Sequence, residues 1–181
     1  RETQERAEAL ITLCREHRLG YWLQSAVVLQ SWARAEQGEV EAGIAQMRDG
    51  MAIFLATGSV FLQPYYLALL AEQYAKGGDI EHGLALVAEA LTAMEQSGER
   101  WCEAELLRIK AELLLRRGED AEAEMAFGRA LAVARSQEAK SLELRAATSL
   151  ARLWQTQGKP AAAHQLLAEI YATSTDVSVK R

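Results

Sequence analysis

The stretch "YAKGGDIEHGLALVAEAL", residues 74–91, decides the fold. It sets two glycines and an acid ahead of a strongly apolar run. Such a Gly-Gly is either a phosphate-cradling loop or a corner between two helices. A phosphate loop needs a GxxxxGK[ST] frame, or a GxGxxG frame after a strand. Neither frame is present, and the preceding "YYLALLAEQYAK" carries helical rather than strand periodicity. The same pattern recurs along the chain, which settles the choice in favour of a corner.

Gly38, Gly78, Gly118 and Gly158 stand 40 residues apart. Their contexts are "AEQGEVEAGIAQMRDGM", "AKGGDIEHGLALVAEAL", "LRRGEDAEAEMAFGRAL" and "QTQGKPAAAHQLLAEIY". Counting from each glycine, position +5 is small (Gly43, Gly83, Ala123, Ala163) and +9 is apolar (Met47, Val87, Phe127, Leu167). Position +12 holds Gly50, Ala90, Ala130 and Ile170, and −7 holds Ser31, Ala71, Ala111 and Ala151. Small residues at −7 and +5 let two antiparallel helices approach closely. Large ones at +9 and near −4 (Tyr74, Leu114, Trp154) fill the space between neighbouring pairs. The glycine supplies the left-handed conformation that ends a helix. Asp79 is placed to cap the next helix, and Pro160 suits a first helical turn. Tyr21, Phe61 and Trp101 form a second series that starts the other helix, and Gly58 and Gly98 mark the turns before two of them.

The order small, apolar, Gly, small, apolar, small resembles the tetratricopeptide repeat over about residues 21–172. The resemblance implies an all-α fold, a right-handed superhelix of antiparallel helix pairs (a TPR-like α-solenoid) with about nine helices. The period is 40 rather than about 34. Arg34 replaces the aromatic of the first repeat, and Asp120 and Pro160 replace the apolar residue held by Val40 and Ile80. The reading is one repeat domain over 1–173. Residues 1–20 form the second helix of a preceding repeat, repeats follow near 21–60, 61–100, 101–140 and 141–173, and 174–181 are a polar tail. Helices are expected at 2–18, 21–37, 40–57, 61–77, 80–97, 100–117, 120–136, 140–157 and 160–173. The first of them has an apolar stripe of Ala7, Leu10, Ile11 and Leu13.

Composition agrees with this reading and narrows the function. The chain has 181 residues, half of them hydrophobic, and only two prolines, which suits an all-helical domain with a sizeable core. A net charge of −5 gives no general attraction to nucleic acid or to anionic membranes. No apolar run approaches the ~20 residues that span a bilayer. Cys14 and Cys102 show no pairing motif and read as reduced, buried small hydrophobes of a cytoplasmic protein. The chain starts at Arg1 rather than Met and reads as a fragment of something longer.

"GERWCEAELLRIKAELLL", "AKSLELRAATSLARLWQTQGK" and "AEIYA" resemble the C-terminal helical-repeat region of large bacterial proteins. Those proteins carry a nucleotide-cyclase domain, or a transcriptional-regulator domain plus an NTPase module. The resemblance implies a noncatalytic regulatory scaffold; no cyclase or NTPase motif lies in this chain.

No catalytic constellation emerges from the spacing. His17, His82 and His164 lack a second ligand at metal spacing, so no metal or cofactor is expected. His17 lies at i+3 from Cys14 on one helix, and surface or packing roles are favoured for both. The many carboxylates read as solvated helix faces, as with Glu112–Arg116 at i,i+4. By analogy with tetratricopeptide repeats, the first helix of each pair faces a groove at −13, −10, −6 and −2. Those positions hold Ser25, Val28, Trp32, Glu36; Tyr65, Ala68, Glu72, Lys76; Glu105, Arg108, Glu112, Arg116; and Arg145, Thr148, Arg152, Thr156. Candidate binding residues are therefore Trp32, Tyr65, Glu72, Lys76, Arg108, Glu112, Arg116, Arg145 and Arg152. The groove grades from aromatic–acidic to basic, and the basic end suits a carboxylate or phosphate unless it is paired with its own glutamates. Trp22, Trp101 and Trp154 read as packing residues. The leading function is a scaffold for a protein or peptide partner, either other domains of the parent protein or a second copy in a homodimer. A small-molecule effector sensor and a self-association module are the alternatives; nucleic acid, membrane and free-standing catalysis are disfavoured.

Overall fold

The structure, a computed structural model, describes residues 2–178. Nine helices and no strand occur among the described residues: α1 Glu2–Glu16, α2 Gly20–Glu36, α3 Val40–Ala56, α4 Gln63–Lys76, α5 Ile80–Ser97, α6 Glu103–Arg117, α7 Asp120–Ser136, α8 Lys140–Thr156 and α9 Pro160–Ser178. They gather into two compact units, Arg1–Glu99 with α1–α5 and Arg100–Arg181 with α6–α9. Within the first, successive helices pack on each other and α2 also touches α4; within the second, the same holds and α6 touches α8.

The glycine column does what its spacing predicts. Gly38, Gly78, Gly118 and Gly158 have φ of 107°, 90°, 87° and 75°. At each, the next residue's N–H donates back to the carbonyl five residues earlier: Glu39 to Arg34, Asp79 to Tyr74, Glu119 to Leu114 and Lys159 to Trp154, at 3.2, 2.9, 3.0 and 2.7 Å. This six-to-one bond satisfies a carbonyl at the helix end that the helix itself leaves open. Asp79 then caps α5 by accepting from His82 N–H at 3.1 Å, and Pro160 opens α9.

The small-residue columns form the helix–helix seams. Ser31, Ala71, Ala111 and Ala151 are buried, as are Ala123 and Ala163 opposite them. At Gly43 the approach is closest: an added Cβ would lie 2.6 Å from Ala35 Cβ and 2.8 Å from Ser31 O. Met47, Val87 and Phe127 of the +9 column are fully buried, while Leu167 is half-buried. Around Phe54 an aromatic cluster closes the first unit, with ring centroids 5.1 Å from Tyr21 and 5.5 Å from Tyr66.

Several expectations need correction. The core stripe of α1 is Ala7, Ile11 and Cys14, whereas Leu13 is exposed, because a 3–4–3 spacing tracks one face and Leu13 falls off it. Phe61 and Trp101 lie in turns ahead of α4 and α6 rather than inside those helices. At α4 the cause is local: Pro64 sits in the first turn, and Leu62 takes the left-handed conformation at φ 64°. Trp22 and Trp101 are 48% and 47% exposed, so they pack only in part, Trp22 edge-on against Tyr21 with ring centroids 5.0 Å apart. Helix α9 continues to Ser178, beyond the expected end at 173. Positions 179–181 of the expected tail lie outside the described residues.

Candidate functional site

In the first unit, α2 and α4 carry Trp32, Tyr65, Glu72 and Lys76. Trp32, Tyr65 and Glu72 are half-buried and Lys76 is exposed. Trp32 Nε1 is buried with no hydrogen-bond partner among the described residues. Tyr65 stands 6.2 Å from the Tyr66 ring. Lys76 pairs with Glu36 of α2, and Gln73 Nε2 donates to the same Glu36 oxygen at 2.7 Å. Burial works against ionisation of Glu36, but the Lys76 and Gln73 hydrogen bonds outweigh it and hold the carboxyl below its usual range.

In the second unit, α6 carries Arg108, Glu112 and Arg116, and α8 carries Arg145 and Arg152. Arg108 is only 5% exposed. Its guanidinium donates to Glu105 Oε1 through Nη2 at 2.7 Å and through Nε at 3.1 Å, and it also pairs with Glu112. Arg145 Nη2 reaches the same Glu105 oxygen at 2.7 Å, and Ser149 Oγ donates to Glu112 at 3.0 Å. The predicted basic end is thus largely closed on its own glutamates. Arg152 is exposed and forms no ion pair with the other described residues. It lines an open groove of about 320 Å³ with Glu112, Ser149, Leu153, Leu115 and Phe127. Arg116 is exposed as well.

The four expected groove columns divide by burial. Position −10 is mostly core: Val28, Ala68 and Arg108 are buried, and Thr148 is half-buried. Position −13 is mixed, with Ser25 and Glu105 buried and Arg145 exposed. Positions −6 and −2 remain accessible, holding Trp32, Glu72, Glu112 and Arg152, then Glu36, Lys76, Arg116 and Thr156.

Sequence spacing missed two tethers in the second unit. Glu143 of α8 is buried and accepts from Arg135 Nε and Lys140 Nζ, both at 2.9 Å. Trp154 Nε1 donates to Glu124 at 2.7 Å, joining α8 to α7. The hydrogen bond from Trp154 holds the Glu124 carboxyl below its usual range, against the opposing effect of burial. Among the described residues, no group of three or more His, Cys, Asp or Glu has the geometry to hold a metal. His82 stacks on Tyr74 at 5.1 Å and pairs with Asp79, which is a capping role. Cys14 and Cys102 are both buried, and neither is in a disulfide among the described residues. No helix among the described residues is long and apolar enough to cross a membrane.

No family model matches the chain. An uncharacterized protein of Rhizobium meliloti is 31% identical over 140 residues, which is 77% of this chain but 14% of that protein. Solved structures align over nearly the full chain. A Podosopora anserina protein described as a kinesin light chain of nearly identical TPR-like repeats matches at TM-score 0.65 and 16% identity, covering 98% of this chain and 87% of that one. BtubC (BKLC) from P. vanneervenii matches at TM-score 0.72 and 15% identity, covering 95% of this chain and 70% of that one. The period-40 glycine turns, the small-residue seams and these alignments together give the chain the TPR-like helical-repeat fold of an α-solenoid.

Proposed function

We propose that the chain is a non-catalytic helical-repeat scaffold for protein–protein interaction. It acts as one repeat domain over 1–173, a regulatory piece of a larger multidomain signalling protein working in the cytoplasm. One observation carries this reading. Seams and core consume most of the −10, −7, +5 and +9 positions, while −6 and −2 keep Trp32 and charged side chains accessible on the first helices. In the first unit these positions set Trp32 beside charged side chains, and an aromatic anchor amid charge is the make-up of a protein-binding surface. The length of the Rhizobium meliloti relative, of which the match is 14%, supports the larger context.

Site-specific photo-crosslinking tests it. A crosslinking amino acid replaces Tyr65, Arg116 or, as control, Ile53, which is exposed on α3. Capture of a defined polypeptide from Tyr65 or from Arg116, but not from Ile53, is the expected result. Equal capture from all three, or from none, overturns the reading.

A further inference from the structure

Within the second unit, α6, α7 and α8 border the open groove of about 320 Å³ that Arg152 lines. Its floor is apolar: Phe127 and Leu153 are buried and Leu115 is half-buried. Its rim carries charge. Glu112 is already engaged, pairing with Arg108 and accepting from Ser149 Oγ at 3.0 Å. Two groove residues of opposite sign have no ion-pair partner among the described residues: Asp120, at the start of α7, and Arg152, on α8. Both are exposed, so a ligand reaches them without opening the core.

The repeat shows what this place holds elsewhere. Two repeats earlier, the equivalents of Glu112, Phe127 and Leu153 are Trp32, Met47 and Gln73. Trp32 is half-buried and its Nε1 is buried, so the first unit packs an indole ring where the second unit has a carboxylate. Glu112 is smaller than an indole and turns to Arg108 and Ser149 instead, and its groove stands open. A cleft of this volume, with an apolar floor and a few convergent polar groups, is of the size and make-up that hold a small ligand.

We propose that this groove binds a free aromatic amino acid as its zwitterion. The ring lies on Phe127, Leu153 and Leu115, at the point where the first repeat carries Trp32. The ammonium group pairs with Asp120. The carboxylate pairs with the Arg152 guanidinium, whose parallel N–H groups match its two oxygens. Opposite charges beside one apolar seat favour a ligand that carries both charges and a ring, over one that lacks any of the three. The site goes beyond the interaction-scaffold reading and does not rest on it.

Isothermal titration calorimetry of the 181-residue chain with L-tryptophan tests the proposal. One saturable site per chain is the expected result. Tryptamine lacks the carboxylate, N-acetyl-L-tryptophan lacks the ammonium group and L-alanine lacks the ring. Each should bind about tenfold or more weakly, the loss expected for a missing charged hydrogen bond or an unburied ring. Arg152→Gln and Asp120→Asn should each weaken L-tryptophan by about tenfold or more. Arg152→Gln should leave tryptamine unaffected, since tryptamine has no carboxylate to lose. Arg48→Gln, at an exposed arginine of α3, should change nothing. An unchanged melting temperature verifies that the variants fold. Absence of saturable binding, equal binding of tryptamine or N-acetyl-L-tryptophan, or indifference to both groove variants overturns the proposal. So does equal binding of N-acetyl-L-tryptophanamide, which stands for a peptide-bound tryptophan, or an equal loss in Arg48→Gln. Calorimetry reads a small molecule and crosslinking a polypeptide, so this proposal and the scaffold reading can fail separately.

Discussion

Glu105 Oε1 lies 2.7 Å from Arg145 Nη2 on the neighbouring helix, and at the same 2.7 Å from Arg108 Nη2 on its own. One carboxylate therefore anchors a buried guanidinium and an exposed one. The buried partner matters more, because an unpaired charge in the interior is far costlier than one in water.

Glu105→Gln is expected to destabilise the chain by about 2 kcal/mol, since Arg108 keeps Glu112 but loses its bidentate partner. Arg145→Gln, at a side chain 55% exposed, is expected to cost below about 1 kcal/mol. Urea unfolding of the two variants checks the ordering; equal losses would place the weight of the network on the surface pair.

Gly43 and Gly128 are both helical glycines but should respond in opposite directions. Gly43→Ala drives a methyl group into Ala35 and the Ser31 carbonyl, at an expected cost of about 1–3 kcal/mol. At Gly128 an added Cβ meets nothing within 4 Å. Gly128→Ala should therefore stabilise α7 by about 0.5–1 kcal/mol through helix propensity alone. Thermal melts of both variants give the comparison.

Glu143 sets a pH dependence. Burial disfavours its charge, yet hydrogen bonds from Lys140 and Arg135 prevail and depress its pKa in the folded state. Its stabilisation is complete above the unfolded carboxylate pKa of about 4 and is lost as pH falls through the lower folded value. The urea midpoint should drop between about pH 5 and pH 3, and Glu143→Gln should flatten part of that drop.

Arg18 and Glu138 hold left-handed backbone at φ 55° and 54°. They are the non-glycine members of a column whose other members, Gly58 and Gly98, have φ of 79° and 75°. Glu138→Gly should raise stability by about 0.5–1 kcal/mol, as relief of left-handed strain outweighs the added freedom of the unfolded chain. Gly98→Ala should lower it by a similar amount. Chemical denaturation of the pair decides.

Much of the fold was legible because its controls are steric and periodic. A glycine every 40 residues, with small residues at −7 and +5, specifies a turn and a seam whatever lies on the surface. The left-handed turns at Arg18 and Glu138 were hidden, since nothing in an arginine or a glutamate announces positive φ. They close with the same six-to-one bond as the glycine turns, Leu19 N–H to Cys14 at 2.8 Å and Ala139 N–H to Ala134 at 2.9 Å. The positions expected to face a groove are accessible at −6 and −2, whereas at −10 Val28, Ala68 and Arg108 are buried. A long side chain such as Arg108 can fold back to a carboxylate three residues away, so its column does not reveal whether its charge faces water. Pro64 and Leu62 shifted the start of α4 by a purely local rule that the repeat average conceals.

The left-handed column at 38, 78, 118 and 158 also bears on how such a chain can change length. Cutting at two of these positions leaves ends with the same backbone direction and the same closing bond. A block of 40 residues can then be copied or removed between them with each junction meeting a turn it already fits. In a chain of this kind the natural unit of inheritance is the interval from turn to turn, and growth by duplication needs no newly invented joint.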